Sequence, residues 1–151
     1  TFNIIIERKV MKAILINPEF EYIHLIDFDG DYKSIYKLLD CRMFECVYPF
    51  KNEDTIFIDE EGLLKDSNYA FTIKSDMHLD RFGAKTMTLM GKALILGSDD
   101  QGESVDCKTL HSEVRTLISF KGKVAISEEH RGFSVMPFDI AEALKNTEGN
   151  A

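Results

Sequence analysis

The chain has no tryptophan, few cysteines and no long apolar run, and each shortage excludes something. No apolar stretch approaches the roughly 18–20 residues that cross a bilayer, so no membrane helix is expected. The three cysteines, Cys41, Cys46 and Cys107, are odd in number and form no CxxC. That argues against a disulfide framework and a zinc site, and for reduced thiols. The four histidines, at 24, 78, 111 and 130, stand far apart without HExxH or paired spacing. GxSxG, Walker A and GxGxxG are also missing, which removes the common hydrolase, P-loop and dinucleotide signatures. Basic residues are outnumbered, 18 Lys and Arg against 26 Asp and Glu, for a net charge of −8. Such a balance disfavours direct nucleic-acid contact, whose affinity comes largely from phosphate neutralisation. It is compatible with a basic protein partner or mimicry of nucleic acid, and the plain solubility of a small protein is the simpler reading. Nothing at the N-terminus has the pattern of a signal peptide, so a cytoplasmic protein is expected.

What is present suits one domain with a real core: 151 residues, 44% of them apolar. Thr1 to Val10 precede Met11 as an N-terminal extension of uncertain origin. Residues 11–151 read as a single domain. Met11 to Asn17 is a continuous apolar strand, implying burial on both faces. Glu21 to Phe28 returns beyond the turn Asn17-Pro18-Glu19 as the second strand of a hairpin. Asp31 is placed to cap a short helix over 32–39, in which Tyr32, Ile35, Tyr36 and Leu39 follow helical spacing. Met43 to Tyr48 and Thr55 to Asp59 read as strands, as do Tyr69 to Ile73 and Ala93 to Leu96. Thr109 is a candidate cap for a short helix near Leu110 to Val114. Leu117 to Phe120 and Lys123 to Ser127 suggest a hairpin around Lys121-Gly122. Phe133 to Met136 suggests another strand, and Asp139 opens a final helix. Strands dominate and do not alternate with long helices. The expected class is therefore α+β: a mainly antiparallel sheet with two or three short helices packed on one side of it.

The segment most suggestive of function follows the Ala93–Leu96 strand. Gly97-Ser-Asp-Asp-Gln-Gly-Glu103 places two glycines among three carboxylates. Glycines permit φ > 0 and expose backbone N–H groups, so the loop suits binding or a tight acidic turn. Asp99, Asp100, Glu103 and Asp106 are hard oxygen ligands, but their spacing is not that of an EF-hand. A phosphate cradle would need cations to offset the carboxylates; Lys92, Lys85, Arg81 and Lys74 precede the loop. Cys107 and His111, four apart, would share a helix face as a nucleophile pair, yet no orienting group accompanies them.

Four blocks in order resemble a known family: Met11-Lys-Ala-Ile-Leu-Ile-Asn-Pro18, Gly30-Asp-Tyr-Lys-Ser-Ile-Tyr-Lys-Leu-Leu39, Phe57-Ile-Asp-Glu-Glu-Gly-Leu-Leu-Lys65, and Gly91 to Glu103. The chain resembles the small phage and mobile-element proteins grouped as domain of unknown function 3846, over about residues 11–120. Residues 121–151 are then a C-terminal addition to that core. The family's usual Pro-Leu before the last block is here Leu89-Met90. The resemblance implies a phage, prophage or plasmid setting in a bacterial host and names no catalytic residue. By analogy with small accessory proteins of such elements, it suggests counter-defence without catalysis. The partner would be a host immune protein or its signalling nucleotide. A structural or regulatory accessory role and a small metal-dependent hydrolase are the alternatives. The expected binding residues are Gly97, Ser98, Asp99, Asp100, Gly102, Glu103 and Lys92. No cofactor is expected, and a homo-oligomer is compatible with the chain.

Overall fold

The computed structural model describes residues 10–77, 79 and 83–126. In chain order the elements are β1 (Met11–Asn17), β2 (Tyr22–Phe28), α1 (Tyr32–Leu39), β3 (Phe44–Val47), β4 (Thr55–Asp59), β5 (Ser67–Lys74), β6 (Thr86–Met90), β7 (Ala93–Ser98), β8 (Ser104–Val105), α2 (His111–Leu117) and β9 (Ile118–Ala125). The strands make two antiparallel sheets. The larger runs β2-β1-β7-β4-β3, with β8 added to the end of β7, and the smaller runs β6-β5-β9. The expected α+β class holds, but the strands divide between two sheets.

The centre of the large sheet is β7, where Ala93, Leu94, Ile95 and Leu96 are fully buried. Successive strand side chains point to opposite faces, so this run must be covered twice. Leu94 and Leu96 join Ala13, Leu15 and Phe28 beneath Ile35 and Leu39 of α1. Ala93 and Ile95 join Ile14, Ile16, Ile56 and Ile58 against Phe71 and Ile73 of β5, Met87 and Leu89 of β6, and Val114 of α2. The two helices therefore lie on opposite faces of the large sheet, not on one. Burying each of these large aliphatic side chains contributes about 1.5–3 kcal/mol, so both layers are needed for the strand to form.

The eight-residue α1 is too short to persist alone and depends on that packing. The Asp31 carboxylate accepts from the Lys33 N–H at 3.0 Å, as its position in the sequence implied. Asp40 closes the helix in the left-handed region, with φ 52°, and its N–H points to the Tyr36 and Lys37 carbonyls. Asp is among the few residues that tolerate this conformation.

The C-terminal part of the described chain departs from the expected hairpin. Ile118–Ala125 is one strand along β5, and Lys121-Gly122 forms a bulge: Phe71 faces Phe120 while Ala70 faces Gly122, so that Lys121 is the inserted residue of the register. Gly122 has φ 74°, the conformation that a bulge and a turn both ask of glycine. The expected strand over 133–136 and the helix from Asp139 lie outside the described residues.

One buried carboxylate ties the loop before β4 to the loop before α2. Asp54 is fully buried and accepts from the Lys108 N–H at 2.9 Å, the Thr109 N–H at 2.7 Å and the Thr109 hydroxyl at 2.6 Å. Asn52 completes the knot, donating to the Thr109 hydroxyl at 2.8 Å and accepting from the Asp54 N–H at 2.9 Å. Thr109 thus serves Asp54 and does not cap α2, whose first turn starts from Leu110. Asp54→Ala would strand two backbone donors and a hydroxyl in a dry site. We expect it to lower the unfolding free energy by about 3 kcal/mol or more in urea titration, with Asp54→Asn intermediate. An alanine variant within about 1 kcal/mol of the parent would show that the carboxylate does not hold these loops.

Candidate functional site

The Gly97–Glu103 segment begins on the last two residues of β7 and turns at Asp99. Asp99 organises it. Its carboxylate accepts from the Gln101 N–H at 2.9 Å and the Glu103 N–H at 2.8 Å. Its own N–H donates to the Glu103 carbonyl at 2.9 Å, and its carbonyl accepts from the Gly102 N–H at 3.0 Å. Four loop N–H groups are consumed internally, so the loop does not offer them to a phosphate. It is a rigid turn from which Asp100, Gln101 and Glu103 project into solvent. Although exposed, the Asp99 carboxylate is part of the turn.

The two glycines serve different ends. Gly102 has φ 78° and open space around it. Gly97 has no positive φ; a Cβ there would overlap the Asp106 carbonyl oxygen, with Val105 Cγ2 at 3.1 Å. The close approach arises because Ser104–Val105 pairs with Gly97 and Ser98, while Asp106 and Cys107 turn onto β1. There the Asp106 carboxylate accepts from the Lys12 N–H at 2.8 Å, and the Cys107 N–H donates to the Lys12 carbonyl at 2.9 Å. Gly97→Ala should therefore lower the melting temperature clearly more than Gly102→Ala. The first forces two strands apart, whereas the second pays only the left-handed penalty of about 1 kcal/mol. Equal shifts by differential scanning calorimetry would contradict this.

Lys92 does not join the loop. It precedes β7 while Asp99 follows it, and the six residues of β7 set the two about 20 Å apart. Lys92 instead lines a recess of about 110 Å³ with Asn17, Leu39, Asp59, Lys65 and Gly91. Each of the four blocks that carry the family resemblance contributes to this recess. Its polar groups are largely engaged. Asn17 accepts from the Glu19 and Phe20 N–H groups at 3.0 and 3.2 Å. Asn68, also in the lining, donates to the Gly62 carbonyl at 3.0 Å. Asp59 accepts from the Glu61 N–H at 2.9 Å and faces Lys65 at 3.7 Å. At about 110 Å³ the recess falls well below the roughly 300 Å³ at which small-molecule sites begin, so we read it as the junction of the hairpins.

A larger cleft, of about 350 Å³, opens at the loop's own end of the sheet. Phe50 and Leu117 give it an apolar wall, and Lys74, Lys85, Asn52 and Glu113 lie around it. Lys108 links it to the acidic loop: its ammonium donates to the Asn52 carbonyl at 3.1 Å and the Ser98 carbonyl at 3.3 Å. Asn52, Asp54 and Lys108 were not among the residues singled out from sequence, and Thr109 was read there only as a helix cap. No local signal marks them, because their contacts span more than fifty positions. Lys74 and Lys85 do come together at this cleft, while Arg81 lies outside the described residues.

The thiol–imidazole pair, disfavoured from the sequence for want of an orienting group, is not assembled. Cys107 Sγ donates to the Thr109 carbonyl at 3.0 Å, and His111 Nε2 lies 2.6 Å from the Ile23 carbonyl on β2. Burial, aided by Asp54 and Asp106, pushes the Cys107 thiol up to about 12. Burial, with Asp59 next, pushes Cys41 up to about 11. Both stay protonated at neutral pH and are poor nucleophiles. Among the described residues no group of three or more His, Cys, Asp or Glu is placed to hold a metal ion. With the folded thiol of Cys107 held neutral, iodoacetamide should label it slowly at pH 8, faster as pH rises toward 12, and readily once the protein is unfolded. Rapid labelling of native Cys107 at pH 8, followed by peptide mass spectrometry, would contradict the assignment.

Two antiparallel sheets layered with short helices, a stiff acidic turn and a cleft beside it make up a small α+β domain. The chain belongs to the family described as Domain of unknown function (DUF3846), whose model matches residues 11–118, from the start of β1 to the first residue of β9. No curated protein and no solved structure matches the chain. None of the described helices is long and apolar enough to cross a membrane.

Proposed function

We propose that this protein acts by binding and not by turnover, as an accessory protein of a phage or other mobile element that counters host defence by capturing a host immune protein. The observation that supports this reading is a juxtaposition. The acidic turn Gly97–Glu103 and the cleft beside Phe50 share one end of the large sheet and are joined through Lys108. Asp100 and Glu103 stand on a turn already fixed by internal hydrogen bonds, so little ordering entropy is lost when a basic surface meets them. The net charge of −8 speeds encounter with such a surface, an effect that salt weakens. Since the loop N–H groups are spent internally, the turn favours protein capture over a phosphate cradle. Sequestration of a nucleotide signal is the second reading, and the cleft is what favours it.

The test is a plating assay in bacteria carrying defence systems, with the protein supplied from a plasmid. The parent protein should restore phage plating against at least one system. Asp100→Lys with Glu103→Lys should reduce that restoration tenfold or more with an unchanged melting temperature; Asp99 is left alone because it builds the turn. Three results overturn the proposal: no restoration against any system, a double variant that protects like the parent, or multiple-turnover consumption of a nucleotide or nucleic acid by the purified protein.

A further inference from the structure

We infer that the cleft walled by Phe50 and Leu117 is a site for a nucleoside monophosphate. The inference rests on the reading of this chain as a binding protein and gives that reading a ligand distinct from the partner of the acidic turn. The cleft's volume, about 350 Å³, lies within the range of small-molecule sites and accommodates one nucleotide unit. Its chemistry is of three kinds. Phe50, nearly buried, and Leu117, half-buried, supply an apolar wall on which a flat ring can lie. Lys74 ends β5 and Lys85 immediately precedes β6, and the Ser75 N–H bond to the Lys85 carbonyl at 2.9 Å holds the two segments together. Both ammonium groups border the cleft, and neither forms an ion pair with a carboxylate among the described residues. Two cations on adjoining segments suit a phosphate, whose two negative charges one lysine does not balance.

The third component is carboxylate. Glu113, in the first turn of α2, is engaged among the described residues only by a long 3.4 Å contact from the Leu110 N–H. Asp76 takes a similarly long 3.4 Å contact from the Lys51 N–H. Both border the cleft with acceptor capacity to spare. A simple anion such as inorganic phosphate would be repelled by these carboxylates and would leave the apolar wall bare. A nucleotide uses all three elements: phosphate toward Lys74 and Lys85, ring face on Phe50 and Leu117, and base N–H donors toward a carboxylate. Guanine fits best, because its pairing edge presents adjacent N–H donors that a carboxylate can accept together.

Isothermal titration calorimetry with guanosine 5′-monophosphate tests the assignment on the full chain. The parent should bind, and inorganic phosphate should bind at least tenfold more weakly. Lys74→Ala with Lys85→Ala should weaken guanosine monophosphate at least tenfold while circular dichroism and melting temperature stay at parental values. Glu113→Gln should weaken it several-fold, and Leu117→Ala, which strips the wall without touching a charge, should weaken it as well. Absence of binding to the parent, equal affinity for inorganic phosphate, or full affinity in the lysine double variant would each overturn the inference. Asp100→Lys with Glu103→Lys should bind the nucleotide like the parent. Failure at the cleft is thereby separable from failure of protein capture at the acidic turn.

Discussion

β7 meets water on neither face, and most of the fold follows from that. A strand of consecutive Ala, Leu, Ile and Leu side chains, all fully buried, needs a layer above and a layer below. It also needs a hydrogen-bonding neighbour on each side, because an unpaired backbone group there would find no solvent. β1 and β4 supply the neighbours, α1 one layer, and the small sheet with α2 the other. The strand can leave this environment only at its ends, and there the polar features accumulate. At one end Lys92 enters the recess between hairpins; at the other the chain turns through Asp99 into solvent.

The second constraint is the burial of Asp54. A carboxylate deprived of water must be given donors, and the chain brings them from Lys108 and Thr109, more than fifty residues away. Because those donors are backbone groups and a hydroxyl, the arrangement fixes the path of the polypeptide more than it fixes any charge. Its practical effect is to hold the start of α2 against the loop before β4, so that Phe50 and Leu117 face a common space. The cleft is thus a by-product of satisfying one buried acid.

Much of the scaffold was legible in the sequence because the signals were local. The apolar runs of β1 and β7 announced two-sided burial. Asp31 followed by Ile35 and Leu39 announced α1 with its cap. The family resemblance over the core agrees with the family match. What was not legible depended on distant partners. Lys121-Gly122 carries the same glycine signal whether it turns a hairpin or bulges a strand, and only β5 lying alongside decides. Gly97 looked like a flexible loop residue, but its lack of a side chain answers the Asp106 backbone crossing it. Thr109 is a good cap by type, and Asp54 claimed its hydroxyl. The separation of Lys92 from the acidic turn was in principle readable, since the strand between them has a fixed rise per residue. The grouping of the two as one site overlooked that length.

That fixed length has an electrostatic meaning. Mobile ions screen exposed charges over about 8–10 Å at ordinary ionic strength, less than half the roughly 20 Å that β7 sets between its two ends. A charge gained or lost beside Asp100 is therefore barely felt beside Lys92. The strand acts as an insulating spacer, and the acidic end can be redrawn against a changing partner while the Lys92 end continues to hold the hairpins together.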